Sequence, residues 1–439
     1  MGVEQPATSN MLPDIFTHAE QELLSDEQKL VIHEISQGSN ILVTGGAGTG
    51  KSFLLNYLKR HYSRLGLAVT ASTGIAAVNI GGSTIHSWAG IGLANLPIEQ
   101  IIANLFSGKF SKIRRRIKET RILAIDEISM ISANLFEILD QVFRAVREND
   151  KPFGGLQMLL FGDFLQLAPI TRYGDETQNF CFTSQSWKNL HLQTFILKEI
   201  FRQHDKKFIK ILNNLRFGNL DEDDVKHLEL RLKATDDDLA IKPTILTSHN
   251  VKAAQINEFE LKKIPREEKS FEAKYFGEMN KVELLRKNCL AVESLKLKVG
   301  AQVMMIKNTY QKEGIINGSL GVVQDFSPKK FYPVVEFANG KILTIAPEEW
   351  LIDRFDHDSR QIVTEAGVTQ IPLILSWAIT IHKSQGLTLD KISCDLSNIF
   401  SAGQAYVALS RARSLDSVFI SSIDFKKITT NREAAEFYN

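Results

Sequence analysis

Gly45, Gly46, Ala47, Gly48, Thr49, Gly50, Lys51 and Ser52 follow the apolar run Asn40-Ile41-Leu42-Val43-Thr44 and open a helical pattern. This is the strand, loop and helix setting that a phosphate-binding loop requires. Glycines at these positions let backbone N–H groups turn toward phosphate oxygens, and the following helix adds its positive N-terminus. Lys51 has the reach for terminal phosphates, and the Ser52 hydroxyl can ligate magnesium. The chemistry expected is binding of a nucleoside triphosphate with its metal.

A second signal is Ile122-Leu123-Ala124-Ile125-Asp126-Glu127, an apolar strand ending in two carboxylates. Asp126 is suited to holding magnesium through water, and Glu127 to orienting and deprotonating an attacking water. Alone, such a pair reads as an acid-decorated helix start, but downstream of a phosphate loop the metal reading is preferred. Gly162 to Pro169 ends another strand, and Gln166 within it could sense a γ-phosphate or place the water at the sheet edge where ligands sit. Ser25 and Gln28 fit a helix capping box, while a glutamine just ahead of a phosphate loop also suits an adenine edge, so both readings stand. Arg202 in Glu199-Ile200-Phe201-Arg202-Gln203 and Arg411 in Ala408-Leu409-Ser410-Arg411-Ala412-Arg413 are candidates for arginine fingers across a cleft. One such finger contributes roughly 10³ to 10⁵ in rate.

These residues need elements to position them. From about Leu24 to Lys198 short apolar strands (41–44, 67–72, 122–125, 157–161) alternate with helices, as in a doubly wound α/β sheet. A second α/β block begins near Glu199, with a strand at 244–247, and resumes near Ile371 with one strand over 373–380. Between them, at 265–370, β-rich runs take over. Asn339-Gly340 between two such runs marks a hairpin, and a small β-barrel-like insertion is expected. Residues 89–121 read as a smaller, mostly helical insertion.

The 439 residues carry a net charge of +1, so bulk electrostatics do not announce a nucleic-acid binder. The basic run from Lys109 to Arg121 reads equally as a solvated helix face or as phosphate contact. The three cysteines, Cys181, Cys289 and Cys394, stand far apart, which argues against a disulfide framework or zinc ribbon. With no membrane-length apolar run and no leader, a cytoplasmic protein without membrane contact is expected. Met1 to Asn10, ahead of a second methionine at Met11, reads as a tag remnant within an N-terminal segment 1–23.

The ordered set resembles superfamily 1 helicases, and most closely the Pif1 family. Leu24 to Gln28 matches the Q-motif, Gly45 to Ser52 motif I, Thr70 to Ala77 motif Ia and Ser83 to Trp88 motif Ib. Asp126-Glu127 looks like motif II and Gly162 to Pro169 like motif III. Glu199 to Gln203, with Phe208, Leu212-Asn213, Leu215-Arg216 and Gly218, is similar to the Pif1 signature segment. Ala378 to Gly386 resembles motif V, and Tyr406 to Arg411 motif VI. RecD-like helicases share most of these motifs, and the signature segment favours Pif1; a compact, prokaryotic or phage-type form acting at the nucleoid is expected.

The resemblance implies two tandem RecA-like domains with ATP between them: 1A at 24–198, and 2A at 199–264 and 371–439. It further implies a wedge insertion 1B at 89–121 and an SH3-like insertion 2B at 265–370. Carried over, Lys51, Gln166, Arg202 and Arg411 contact the γ-phosphate end, with Gly386 in the nucleotide set. Thr73, Gly74 and His86 would grip a strand on 1A, and Thr380, His382 and Lys383 on 2A. Trp88 and Phe164 are the candidate base-stacking platforms, since stacking returns roughly 1 to 3 kcal/mol per base. The implied activity is ATP- and Mg2+-dependent 5′-to-3′ movement on single-stranded DNA, unwinding tailed or forked duplexes, with G-quadruplexes and RNA–DNA hybrids as open alternatives. An ATP-gated single-strand binding or remodelling protein, and a P-loop phosphotransferase, are the competing classes. Lys51→Ala is expected to abolish ATP hydrolysis while leaving single-strand binding intact; normal turnover in that variant would refute the nucleotide-site assignment.

Overall fold

The computed structural model describes residues 24–169, 179–232, 234, 239–356, 359, 361–399 and 401–438. The expected N-terminal segment 1–23, with its tag remnant at 1–10, lies outside them. Strands β1 (Ile41–Gly45), β2 (Leu67–Ala71), β3 (Ser83–Thr84), β4 (Ile122–Asp126), β5 (Gln157–Phe161) and β6 (Gln193–Leu197) form one sheet. It is parallel throughout, in the order β3-β2-β4-β5-β1-β6. Side chains alternate across it: Ile41 and Val43 pack with Val31, Ile35, Leu54 and Leu58 on one face, while Leu42, Leu123 and Ile125 meet Phe136, Leu139 and Phe143 on the other. Helices on both faces explain why β1 and β4 are apolar almost end to end. Because β4, β5 and β1 are neighbours, their carboxyl ends set residues 126–127, 162–166 and 45–52 side by side.

The second lobe has a four-stranded parallel sheet ordered Ala378–Thr380, Thr244–Thr247, Ile392–Leu396, Val418–Ile423. Two tandem α/β lobes therefore stand as expected. The single strand expected over 373–380 is divided. Leu373–Leu375 pairs antiparallel with Gln302–Met305 in the insertion, whereas Ala378–Thr380 pairs with Thr244–Thr247. The reason is that Leu373 packs into the insertion's own core and Ile379 into that of the second lobe, so the insertion runs past residue 370.

The insertion's strands fall into a five-stranded, a three-stranded and a two-stranded antiparallel sheet. Asn339 and Gly340 turn the chain between Pro333–Phe337 and Ile342–Thr344, with Gly340 at φ +77°. A further correction concerns the range 371–439. The helix Arg432–Phe437 leaves the second lobe, burying Ala434 in the core of the first and packing the half-buried Phe437, with Tyr438 just after it, against that core. No described helix is long and apolar enough to cross a membrane.

Both expected stacking platforms are core residues. Phe164 is 1% exposed and enclosed by Phe180, Phe182, Trp187 and Phe437 at centroid distances of 5.7, 4.9, 5.8 and 5.0 Å. Trp88 is buried edge-on to Phe143 at 5.7 Å, with the Arg116 guanidinium 5.5 Å from its ring centre. Neither leaves a face for a base, because clustered aromatic rings gain more by excluding water together. Phe164→Ala is accordingly expected to cost about 3–5 kcal/mol in chemical denaturation while the folded fraction binds single-stranded DNA as before. Lost DNA affinity at unchanged stability would reverse this reading.

Candidate nucleotide site and nucleic-acid cleft

β1 ends at Gly45, and the loop 46–50 delivers its amides to the start of helix Lys51–Tyr62. Gly48 sits at φ +83°, and a Cβ there would stand 2.6 Å from Cβ of Arg202, so only glycine lets the second-lobe linker lie against the loop. Phe201 N–H donates to Gly48 O at 2.9 Å. Lys51 Nζ donates to Gly45 O and Gly46 O at 2.7 and 2.8 Å, and Thr49 Oγ1 to Gly46 O at 2.9 Å. From the second lobe, the Tyr406 hydroxyl accepts from Ala47 N at 2.7 Å. The loop is thus closed over by the partner lobe.

Gln28 uses its amide twice. Its Oε1 accepts from Ser25 N at 3.1 Å in the capping box, and its Nε2 donates to Gly50 O at 3.4 Å. With the residue 1% exposed, the capping box expected at Ser25 and Gln28 is formed, and its amide braces the end of the phosphate loop. Gln166 is likewise buried, and its Nε2 donates to Asp163 Oδ2 at 3.3 Å.

The two arginines arrive from the second-lobe side. Arg202 donates to Ser410 O at 3.1 Å and Gly386 O at 3.5 Å. Arg411 donates to Val407 O at 2.9 Å, Ser384 O at 3.4 Å and Ser410 Oγ at 2.8 Å. Burial, then Arg411 beside it, pulls Arg202 down to about 9; burial likewise brings Arg411 down to about 10. Lys51 falls to about 8, chiefly through burial, against the pull of Asp163 and Glu127. Neutral carbonyls hold these cations, which is the electrostatic state a polyphosphate would relieve.

Facing them, burial and then Glu127 lift Asp126 to about 7, and burial raises Glu127 above the usual carboxylate range. Glu127 occupies the left-handed region at φ 52°, a strain that functional sites tolerate, and its N–H donates to Asp126 Oδ1 at 2.9 Å. Ser52, Asp126 and Glu127 line one cleft of about 680 Å³. A hard divalent cation fits this oxygen set, since it would supply the positive charge that the buried carboxylate pair lacks.

The same cleft runs on past Thr73, Gly74, His382 and Gly386 to Asn288, Lys307, Asn308 and Trp350 of the insertion. Thr73 Oγ1 accepts from Ala76 N at 3.3 Å as a helix cap. Over Gly74 lies the Asn288 carboxamide, 2.0 Å from where a Cβ would be. His86 and His382 are half-buried, and burial lowers both below the usual imidazole value. Thr380 is buried, with Oγ1 donating to Asn250 Oδ1 at 3.3 Å and accepting from Lys383 N at 3.3 Å. It shares a separate groove of about 310 Å³ with Lys383 and Asn257. In the basic run, Arg114 and Arg116 donate to carbonyls of Leu105, Ser107, Ser87 and Trp88, while Arg115 and Lys118 pair with Glu119 and Glu148. Arg114 and Arg116 of that run therefore brace the local backbone.

Several residues of the site escaped sequence reasoning. Phe201, 48% exposed beside Gly50, offers a ring face next to the phosphate loop; its place just before Arg202 was the available signal. Tyr406 on the loop and Asp163 with Arg216 at 2.7 Å lay inside the quoted motifs without a role assigned to them, and Trp350 at the cleft had no local signal.

Two family models match the chain: PIF1-like helicase over residues 23–226 and the DNA helicase Pif1 2B domain over 282–326. The crystal structure of Pif1 helicase from Candida albicans is 38% identical, at TM-score 0.71, covering 94% of this chain and 98% of that one. The chain belongs to the Pif1-like helicase family. A Bacteroides sp Pif1 in complex with ADP-AlF4 is 31% identical, at TM-score 0.82, covering 94% and 96%. The same Bacteroides helicase with ADP-AlF3 and ssDNA aligns at 0.61. Among curated proteins, the ATP-dependent DNA helicase PIF1 of Xenopus laevis is 39% identical over 419 residues, or 95% of this chain. The chain spans 64% of that relative's length.

The Asp126 shift sets a pH dependence. Its folded value lies above the ordinary 3.8, so between the two the folded protein holds more protons than the unfolded chain. The stability tied to its protonated form is full below the unfolded value and is lost as pH rises through about 7. The nucleotide-free protein should therefore lose thermal stability over that interval, and Asp126→Asn should flatten the loss; identical pH profiles of the melting midpoint would contradict the shift.

Proposed function

We propose that the chain is an ATP-dependent DNA helicase that moves 5′-to-3′ along single-stranded DNA and separates tailed or forked duplexes. One observation carries this. A phosphate loop and carboxylate pair on the first lobe face Arg202 and Arg411 from the second, so a bound polyphosphate would interact more strongly with the closed lobes than with the open ones. A ligand moves an equilibrium only through such a difference. Lys51 would hold the terminal phosphates, Glu127 the attacking water, and Arg202 and Arg411 the developing charge. Magnesium would be held by Ser52 and Asp126, where it supplies neutralisation of phosphate oxygens.

The nucleic-acid reading is supported by the continuity of the nucleotide end of the cleft with Thr73, Gly74 and His382. Relatives point the same way, since Bacteroides Pif1 structures are described as bound to ssDNA and as unwinding forked dsDNA. With Trp88 and Phe164 in the core, Trp350 is the aromatic side chain that lines this cleft among the described residues. Separating a base-pair step costs roughly 1.4 kcal/mol, which stacking of one base on such a ring can offset. The prokaryotic or phage-type lineage and the cytoplasmic, nucleoid site of action remain part of the proposal; vertebrate and fungal relatives such as those of Xenopus laevis and Saccharomyces cerevisiae support the family and not that lineage.

The test is multiple-turnover unwinding of matched duplexes with a 5′ or a 3′ single-stranded tail, with Lys51→Ala as blank. Separation of the 5′-tailed duplex alone is expected. Activity on the 3′ tail alone would overturn the polarity, and DNA-stimulated ATP hydrolysis with no separation would replace the motor by an ATP-gated single-strand remodelling protein.

A further inference from the structure

The loop Asp163–Gln166 of the first lobe is held by three distant parts of the chain. Asp163, fully buried, receives the Arg216 guanidinium in a fork, Nη2 to Oδ1 at 2.7 Å and Nε to Oδ2 at 3.0 Å. Its oxygens also accept from Leu165 N at 3.2 Å and Gln166 Nε2 at 3.3 Å. Arg216 ends the helix Lys206–Phe217, whose Phe208, Ile211, Leu212 and Leu215 belong to the second-lobe core. The ion pair therefore spans the lobes.

Tyr438 is the second grip. Its hydroxyl lies 2.5 Å from Thr44 Oγ1, just ahead of the phosphate loop, accepts from Phe164 N at 3.1 Å, and donates to Asp163 Oδ1 at 3.4 Å. The Arg216 guanidinium sits 5.0 Å from its ring centre. Gly403, at the start of helix Gln404–Leu409, is the third: a Cβ there would lie 2.5 Å from Gln166 O and 2.7 Å from Leu165 O. The chain crosses between lobes after β6 and returns before Arg432, and Thr430 Oγ1 donates to Arg216 O at 3.1 Å, which brings the crossings together.

We propose that Asp163, Arg216 and Tyr438 form a fixed pivot between the lobes, and that Arg216 and Tyr438 are positioning residues that hold Gln166 in place while the phosphate-loop side opens and closes. Separating a buried, forked ion pair leaves charges uncompensated in low dielectric, a far larger penalty than parting neutral hydrogen bonds. On the phosphate-loop side the cross-lobe bonds are of the cheaper kind, Ala47 N to the Tyr406 hydroxyl and Phe201 N to Gly48 O. Motion therefore concentrates there. Gln166, bonded to the pivot through Asp163, keeps its station relative to both lobes.

This inference rests on the motor reading, and its test separates the two. Tyr438→Phe and Arg216→Lys, each in the full chain, are assayed for kcat and KM of DNA-stimulated ATP hydrolysis and for ATP consumed per duplex separated. Both variants should lose about fivefold to tenfold in kcat, hold KM within about twofold, and consume several times more ATP per duplex. Wild-type values for kcat and for that ratio in both variants would overturn the pivot while wild-type unwinding keeps the helicase. A purely structural role would lower thermal stability and leave the ATP-per-duplex ratio at the wild-type level, which also overturns it. Hydrogen exchange on the wild-type protein decides the matter if the variants do not fold. On adding ADP-aluminium fluoride, amides 46–50 and 406–411 should change protection and amides 163–166 and 214–218 should not; a change at 163–166 would sink the pivot.

Discussion

The constraint that governs this molecule is the crowding of charge at the carboxyl edge of the first sheet. Lys51, Arg202 and Arg411 on one side and Asp126, Glu127 and Asp163 on the other are drawn from strand ends and from a second lobe into a space that excludes much of the water. Only Asp163 is neutralised by a geometrically matched partner, Arg216. The others rest on carbonyl oxygens or sit close to a like charge, which is why burial moves the cations down and the carboxylates up. Structure elsewhere follows from this: the glycine that lets Arg202 approach the loop, the second lobe that supplies the guanidiniums, and the hydroxyl of Tyr406 set on the loop amide.

A balance of this kind makes the two edges of the cleft unequal. One edge is closed by a buried ion pair together with Tyr438 and the close approach of Gly403, and the other by neutral hydrogen bonds from Ala47 N to the Tyr406 hydroxyl and from Phe201 N to Gly48 O. Binding energy from a polyphosphate acts on the second edge, where the unneutralised cations are. The insertion enters the same geometry: Asn288 covers Gly74, and Trp350 lines the cleft that begins at the carboxylate pair. The nucleotide end and the insertion end are therefore parts of one continuous space.

Much of the site was legible because its chemistry is local. A glycine-rich turn between an apolar strand and a helix, or an Asp-Glu pair at the end of a buried strand, is written in consecutive residues, and the strands that carry them emerged within a residue or two of where alternation placed them. Phe164 and Trp88 misled for the opposite reason. Their neighbours in sequence suggested a strand-binding edge, but exposure is decided by what packs on top, and Phe437 and Phe143 arrive from far along the chain. The division of 373–380 between two sheets had the same origin, since each half answers to a different core.

Residue order alone thus determined the phosphate loop, the carboxylate pair, the tandem α/β pattern with its β-rich interruption, and the family. Each of these rests on backbone conformation and side-chain type within a few residues. Tertiary structure decided which charges are compensated, which aromatics are buried, where Gln28 and Gln166 turn their amides, and that helix Arg432–Phe437 returns to the first lobe. Those outcomes depend on contacts between residues 53 and 275 positions apart, as in Asp163 with Arg216 and with Tyr438. Desolvation in a packed interior, set by the whole fold, makes such contacts strong, and no local stretch of sequence encodes it.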